Sequence, residues 1–223
     1  MIWADYDSRD ALMAGLAARV AQELRDEIAA KGRASLSVPG GTTPGPVFDI
    51  LAKTDLDWSK VAVFLNDERW VDVENPRSNT ALIKARLLTG RAAAATLIPL
   101  YAPSLTPEMA LADLSAGLLP HLPITVLLLG MGADMHTASL FPDADVLEQA
   151  MAVDAPVLMA LRAKNAGEPR ITITARHLTT AAHIHILITG AEKRAAILRA
   201  EHLPVLQAPV AAVLPRATIH WAE

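Results

Sequence analysis

The hydrophobic positions near the start of the chain recur at every fourth residue. They are Leu12, Leu16, Val20, Leu24 and Ile28. This spacing places all five on one face of a helix, so it predicts an amphipathic α-helix over residues 9–30. Gly32 follows as a plausible end, because glycine readily adopts the conformation that terminates a helix.

The remaining hydrophobic residues fall mainly into short continuous runs instead of alternating with polar residues. The runs predict strands over residues 34–38, 61–65, 96–100, 124–130, 155–161, 171–174 and 183–190, and a last strand near 209–214. Helical patterns separate several of them, over residues 46–52, 79–88, 107–119 and 191–200. Continuous apolar strands that alternate with helices are typical of a parallel sheet covered on both faces. We therefore predict an α/β fold with a mostly parallel, Rossmann-like sheet.

The composition supports this fold class. Of 223 residues, 52% are hydrophobic and only 4% are aromatic, which favours helices packed on a sheet over an all-β sandwich. No linker, low-complexity segment or internal repeat interrupts the pattern, so we expect a single domain over residues 1–223.

Charge and cysteine content exclude several functions. The formal net charge is −4 and no dense run of Lys and Arg is present, so we expect no nucleic-acid partner. The absence of cysteine excludes disulfides, thiol nucleophiles and cysteine-bound metals. Neither a signal peptide nor an apolar run of about 20 residues is apparent. We expect a cytoplasmic monomer or small homo-oligomer with no membrane partner.

We look for catalytic and binding residues directly after each predicted strand, because ligands of open α/β sheets bind beyond the carboxyl ends of the strands. Gly40, Gly41, Thr42 and Thr43 follow the first predicted strand. Backbone N–H groups and hydroxyls there can cradle an anion. The spacing matches neither a P-loop nor a dinucleotide-binding loop, and an ordinary glycine turn explains it equally well.

Asp67, Glu68 and Arg69 follow the next predicted strand. Such charged residues are most often solvated loop residues. A carboxylate at a cleft can also act as an acid or base, or orient a histidine.

The segment from Leu127 to Pro142, LLLGMGADMHTASLFP, is the richest in candidate chemistry. Gly130 and Gly132 allow backbone N–H groups to approach a ligand and stabilise an oxyanion. His136, expected at the start of a helix, is a candidate general base. A lone histidine is more often structural, but its place after two glycines at a strand end favours a catalytic role.

Two cations occur late in the chain. Arg170 begins a predicted strand, and Lys193 lies near a helix start, where its charge opposes the helix dipole and suggests an anionic ligand. A surface lysine is the alternative, and the adjacent Arg194 is a rival. His183 and His185 share one face of a strand without an obvious third ligand, so we expect no metal site.

Together these motifs resemble the 6-phosphogluconolactonase family of the oxidative pentose phosphate pathway. The similar segments are PGGTTP (39–44), NDERWV (66–71), SN (78–79), LLLGMGADMHTASLFP (127–142), PRITIT (169–174) and GAEK (190–193). The resemblance implies a parallel α/β fold related to glucosamine-6-phosphate deaminase and ribose-5-phosphate isomerase. This chain departs from the family at Met135, where glycine is usual, and at Thr42, where serine is frequent. A methionine would be strained at Met135 if the position needs a positive φ.

The resemblance also implies an activity, the hydrolysis of 6-phospho-D-glucono-1,5-lactone without cofactor or metal. His136 would activate water and Asp67 would orient or assist it, although Asp67 could itself be the base. Arg69, with the N–H groups near Gly130 and Gly132, would stabilise the oxyanion, or Arg69 could reach the phosphate. The implied phosphate ligands are Thr42, Thr43, Arg170 and Lys193.

Two other functions are compatible with these residues. One is a glucosamine-6-phosphate deaminase or isomerase, disfavoured because HTASLFP after the glycines is the lactonase form of that segment. The other is a non-catalytic sugar-phosphate sensor, such as the effector domain of a transcription regulator. The acidic balance and the presence of both His136 and Asp67 favour an enzyme.

Overall fold

The computed structural model describes residues 1–164 and 166–223. In these residues ten strands occur, and in chain order they are β1 (Ile2–Asp5), β2 (Ala34–Val38), β3 (Val61–Leu65), β4 (Asp67–Arg69), β5 (Thr96–Leu97), β6 (Val126–Leu129), β7 (Leu158–Leu161), β8 (Arg170–Ile173), β9 (His183–Thr189) and β10 (Ala217–Ala222). The α-helices are α1 (Arg9–Lys31), α2 (Gly45–Leu51), α3 (Asn79–Arg86), α4 (Pro107–Leu118), α5 (Leu147–Met151), α6 (Ala175–Thr179) and α7 (Ala191–Ala200).

A seven-stranded sheet forms the centre of the fold, in the order β1-β10-β9-β6-β2-β3-β5. Every neighbouring pair in it is parallel. All residues of β2, β3 and β6 are buried, which explains why these strands read as continuous apolar runs. The predicted parallel α/β fold is confirmed.

A small antiparallel sheet, in the order β4-β8-β7, stands beside the main one. Its strand β4 follows directly on β3, and the pairing places Asp67 opposite Thr172 and Arg69 opposite Arg170. This second sheet holds two charged segments that lie far apart in the sequence next to each other.

Helix α1 shows how local sequence sets an element's limits. The hydroxyl of Ser8 accepts a hydrogen bond from the Ala11 N–H at 3.1 Å, which satisfies a donor at the helix start. Gly32 has φ 75° and its N–H donates to the Ile28 carbonyl at 2.8 Å, so the predicted end at glycine is confirmed.

Two strand predictions need correction, and the short strands β1 and β4 were not predicted. The strand expected near residues 209–214 is wrong, because short 3₁₀ segments occupy Pro209–Ala212 and Leu214–Arg216. The last strand, β10, begins only after them, at Ala217. Prolines lack the N–H that a central strand needs. The strand expected over 96–100 ends at Leu97, just before Pro99. Strand β1 was not predicted, since its four residues are too short for a clear period.

The helix expected to start at His136 is also absent, since residues 130–146 form turns. A bridge between Thr137 and Leu140 closes one of them. Met135 and Ala138 have φ values of 65° and 48°, which helical residues do not adopt.

In the part of the chain described, no helix is long and apolar enough to span a bilayer.

Candidate active site

A cavity of about 430 Å³ opens where the central strands of the main sheet end. Its lining includes Gly40 and Gly41 after β2, Asp67 and Arg69 in β4, Leu129 to Gly132 at the end of β6, and Leu187 to Thr189 at the end of β9. The predicted position at the carboxyl edge of the sheet is therefore the position of a well-formed cavity.

His136 lines this cavity and is paired with Asp134. The Nδ1 atom of His136 lies 2.5 Å from Oδ1 of Asp134, and the same oxygen accepts the His136 backbone N–H at 3.2 Å. A neutral imidazole that donates from Nδ1 to a carboxylate has its Nε2 lone pair free. The pair is thus arranged to accept a proton at Nε2 and to stabilise the resulting imidazolium.

The pairing differs from the expectation that Asp67 orients His136. The hydroxyl of Ser139 donates to Oδ2 of Asp67, and Nη1 of Arg170 lies 3.5 Å from the same oxygen. The carboxylate that is hydrogen-bonded to His136 is therefore Asp134, two residues before the histidine. The Asp-x-His spacing was visible in the sequence, but only the turn with its positive φ at Met135 brings the two side chains together.

Gly132 is required by the close approach of this pair. A Cβ atom at residue 132 would overlap Nδ1 of His136 and Oδ1 of Asp134. The Gly132 N–H donates to the His136 carbonyl at 2.9 Å. This N–H is therefore engaged within the loop, contrary to the expectation that it is available to an oxyanion. A Cβ at Gly130 would meet nothing within 4 Å.

Phe141 supports two of the charged groups. Its ring lies 4.3 Å from the His136 ring, centroid to centroid, at an interplanar angle of 42°. The guanidinium carbon of Arg170 lies 5.8 Å from the centre of the Phe141 ring, within the range of a cation–π contact. Phe141 was not among the predicted site residues, because its role depends on the fold of its loop.

Arg170 and Arg69 place positive charge at the cavity wall. Arg170 is only 8% exposed, and burial lowers its pKa, opposed mainly by Asp67. Its Nη2 donates to the Ala166 carbonyl at 3.1 Å, and Nη1 of Arg69 donates to the Arg77 carbonyl at 2.7 Å. The Nε atoms of both arginines are buried without a hydrogen-bond partner among the described residues. The positive charge of two guanidinium groups at the cavity wall favours an anionic ligand.

Lys193 supplies a third cation, from the first turn of α7. Its Nζ donates to the Met131 carbonyl at 3.0 Å, and burial lowers its pKa while Glu192 and Asp134 oppose the shift. Arg194 is not a rival: its guanidinium lies 4.5 Å and 4.4 Å from the rings of Trp3 and Trp221 and 2.5 Å from Asp5.

The glycine-rich turn after β2 contributes backbone to the cavity. Gly41 has φ 83°, and a Cβ at Gly40 would overlap the side chain of Asn79, so both positions require glycine. Thr43 lines the cavity with them, but the exposed Thr42 does not. The carbonyl of Thr42 instead accepts the Gly45 N–H at 3.2 Å and closes the turn.

His183 and His185 lie on one face of β9, as predicted, away from this cavity. His185 Nε2 lies 2.7 Å from Glu23 Oε2, and His183 Nδ1 lies 3.4 Å from Glu23 Oε1. Within residues 1–164 and 166–223, no group of three or more His, Asp or Glu side chains is arranged to hold a metal ion.

The fold and the site together define an α/β enzyme with a carboxylate-supported histidine in a cavity lined by cations. The chain matches the family described as glucosamine-6-phosphate isomerases/6-phosphogluconolactonase over residues 7–221. It is therefore a member of that family.

Curated relatives and solved structures agree with this assignment. The chain is 41% identical over 225 residues to a 6-phosphogluconolactonase of Rhizobium meliloti strain 1021, covering 97% of each chain. It is 41% identical over 227 residues to one of Mesorhizobium japonicum, covering 99% of this chain and 94% of the relative. The crystal structure of a 6-phosphogluconolactonase from Shewanella baltica OS155 is 31% identical with a TM-score of 0.96, and the match covers 100% of this chain and 98% of that one.

Proposed function

We propose that this protein hydrolyses 6-phospho-D-glucono-1,5-lactone to 6-phosphogluconate in the oxidative pentose phosphate pathway. The observation that carries the proposal is the His136–Asp134 pair, which faces a cavity with three cations. Relatives at 41% identity over nearly the whole chain are 6-phosphogluconolactonases, which supports the lactone over other anionic esters.

In the proposed mechanism His136 acts first as a base and then as an acid. The oxygen of a water molecule attacks C1 of the lactone while Nε2 takes a proton from that water. Asp134 stabilises the imidazolium that forms. The tetrahedral intermediate then breaks the bond between C1 and the ring oxygen. The imidazolium returns its proton to that leaving oxygen, which becomes the C5 hydroxyl. No metal or covalent intermediate is needed.

The charge that develops on the carbonyl oxygen needs a donor, and we assign this role to Arg69. Arg69 lines the cavity, whereas the Gly132 N–H already donates to the His136 carbonyl. A preorganised cation is an effective stabiliser of an oxyanion.

We assign binding of the 6-phosphate to the other two cations of the cavity, Lys193 and Arg170. Lys193 and Arg170, with backbone groups of Gly40, Gly41 and Thr43, form the proposed phosphate site. The buried Arg170 attracts an anion more strongly than a solvated cation would, because less water screens it. Phosphate binding far from C1 contributes binding energy that positions the ring.

The test is an assay in which glucose-6-phosphate dehydrogenase and NADP generate the lactone in situ. Formation of 6-phosphogluconate is followed with and without the protein, and spontaneous hydrolysis is subtracted. We expect acceleration by the wild type and a loss of roughly 10²–10⁴-fold in kcat for His136→Ala. The exposed His202 offers a matched control, since His202→Ala removes an imidazole outside the cavity.

Retained turnover in His136→Ala would move the base to another group, with Asp67 the next candidate. No acceleration by the wild type would reject the lactonase. Release of ammonia from glucosamine 6-phosphate would then identify a deaminase, and binding of sugar phosphates without turnover would identify a sensor.

The organisation of the protein in the cell is also proposed here. We propose that residues 1–223 act as one domain, because one hydrophobic cluster joins residues from α1 through β10. A cytoplasmic monomer or small homo-oligomer fits a pathway that works on cytoplasmic sugar phosphates. Size-exclusion chromatography with light scattering would measure the oligomeric state.

A further inference from the structure

Ser139 contacts the cavity only through another residue. It is completely buried, and its side chain is not part of the cavity wall. Its hydroxyl donates to Oδ2 of Asp67, and Asp67 does line the cavity. The most direct route from the Ser139 hydroxyl to a substrate is therefore this carboxylate.

The two oxygens of Asp67 have different surroundings. Oδ2 accepts the Ser139 hydroxyl and lies 3.5 Å from Nη1 of Arg170. Among the described residues, no group donates a hydrogen bond to Oδ1. Asp67 lines the cavity and Oδ1 is not among the buried side-chain atoms that lack a partner, so this oxygen is free to accept a hydrogen bond from water or from a ligand.

Ser139 is itself held by the strand that pairs with Asp67. The Ser139 N–H donates to Oγ1 of Thr172 at 3.2 Å, and Thr172 lies opposite Asp67 in the β4–β8 ladder. The Thr172 hydroxyl in turn donates to the Ile173 carbonyl at 3.1 Å. Backbone pairing and side-chain bonds thus form a closed set that fixes the Asp67 carboxylate.

We propose that Ser139 is a positioning residue: its hydroxyl donates to one oxygen of Asp67, so that the other oxygen faces the substrate and accepts a hydrogen bond from a hydroxyl of the sugar. Without the serine hydroxyl, the carboxylate can rotate and both oxygens can turn to Arg170. The inference rests on the proposed function, because it needs a substrate with hydroxyl groups in the cavity.

A double-mutant cycle tests the proposal. Ser139→Ala, Asp67→Asn and the double variant are compared by kcat/KM and by the Kd for 6-phosphogluconate, measured by calorimetry. We expect Ser139→Ala alone to lower kcat/KM by roughly tenfold or more, as for loss of a hydrogen bond to a charged group. In the Asp67→Asn background the same change should cost less than about twofold, since residues that act through one another are not additive.

The matched control is Thr137→Val in the same loop. The Thr137 hydroxyl is also buried and donates to the Gly130 carbonyl at 2.9 Å, with no contact to Asp67. Its effect should be the same in the wild-type background and in the Asp67→Asn background. Ser139→Cys, which keeps the shape of the side chain and only a weak donor, replaces the alanine variant if that one does not fold.

The outcomes separate the two proposals. Equal losses from Ser139→Ala in both backgrounds, in kcat/KM and in Kd, would overturn the role of Ser139 while the lactonase stands. A wild type that neither accelerates hydrolysis nor binds 6-phosphogluconate would overturn both. Non-additivity restricted to the Ser139 pair would support the positioning role, because a general loosening of the loop would also make the Thr137 pair non-additive.

Discussion

Individual residues of the loop between β6 and α5 are constrained by backbone geometry as much as by chemistry. Gly132 leaves room for the His136–Asp134 pair, and Met135 has φ 65°. The backbone at Met135 is therefore strained, as expected for a methionine with a positive φ. The loop nevertheless holds, because the Val210 N–H donates to the Met135 carbonyl at 3.1 Å.

Gly132→Ala should remove most of the activity. The added methyl group would overlap both His136 and Asp134, and displacement of a general base costs roughly 10²-fold or more. We expect the loss in kcat with the fold retained by circular dichroism. Gly130→Ala, in the same Gly-Met-Gly motif but with nothing within 4 Å of the new Cβ, should cost much less. Equal losses in the two variants would contradict this account.

Met135→Gly should unfold at higher denaturant concentration than Met135→Ala. Alanine is ordinarily the more stable of the two, by roughly 0.4–1 kcal/mol. A positive φ reverses that order, because a Cβ in the left-handed region costs about 1–2 kcal/mol. We expect glycine to be favoured by about 1 kcal/mol in urea unfolding. Alanine ahead of glycine would show that residue 135 does not have this conformation in solution.

Among whole elements, β9, β10 and α1 share a buried chain of polar side chains. Tyr6 Oη lies 2.9 Å from His220 Nδ1, His220 Nε2 lies 3.0 Å from His185 Nδ1, and His185 Nε2 lies 2.7 Å from Glu23 Oε2. Arg19 donates to Glu23 Oε1 at 2.6 Å. With neutral histidines and an ionised Glu23, each gap holds one proton, so every member is satisfied.

The stability of the protein should fall as the pH drops from about 6.5 towards 3. Burial, aided by His185 and Arg19 and opposed by Glu23, lowers the pKa of His220 to about 3. The unfolded chain therefore binds this proton first, between the ordinary value of about 6.5 and 3, and protonation favours unfolding. His185, Arg19 and His183 lower the pKa of Glu23 despite its burial, which adds a loss of stability below about pH 4.5.

His220→Gln should reduce the slope of the unfolding free energy against pH between 6.5 and 4.5. The amide can still donate to His185 and accept from Tyr6, but it does not titrate. His121 and His177, whose pKa values burial also lowers, keep part of the slope. The exposed His202 is the control, and His202→Gln should retain the full slope. An unchanged slope in His220→Gln would show that His220 does not carry the effect.

For the molecule as a whole, substrate binding should depend more on where a positive charge lies in the fold than on the net charge of the protein. Lys193 and Arg194 are adjacent in sequence, but Lys193 lines the cavity while Arg194 lies between two tryptophans. We expect Lys193→Met to raise KM and weaken discrimination against the unphosphorylated lactone. Arg194→Met removes the same charge and should leave KM nearly unchanged at physiological salt, where the screening length is about 8 Å. Equal increases in KM would point to long-range attraction instead of a phosphate site.

The local pattern of hydrophobic residues is sufficient to predict an element wherever that element is long or fully buried. The period of four in α1, the Ser8 and Gly32 ends and the apolar runs of β2, β3 and β6 all predict the observed structure, because burial of these residues requires that periodicity. The candidate residues in the loop between β6 and α5 are also visible in the sequence, because their types are those of catalytic groups. Shorter or interrupted segments were not predictable, as β1, β4 and β10 show, since their pairing partners lie far away in the sequence.

Contacts between distant segments depend on the complete fold. Nothing in the local sequence tells whether Asp67 or Asp134 is the partner of His136, because both carboxylates are expected at the same sheet edge. The choice depends on a turn with two positive φ values and on Ser139, which binds Asp67 from 72 positions along the chain. The amino-acid sequence thus sets the strands, the cavity edge and the candidate groups through local periodicity and residue type. The pairings among those groups arise from tertiary packing, because short-range hydrogen bonds require atoms from separate strands and loops to be brought within about 3 Å.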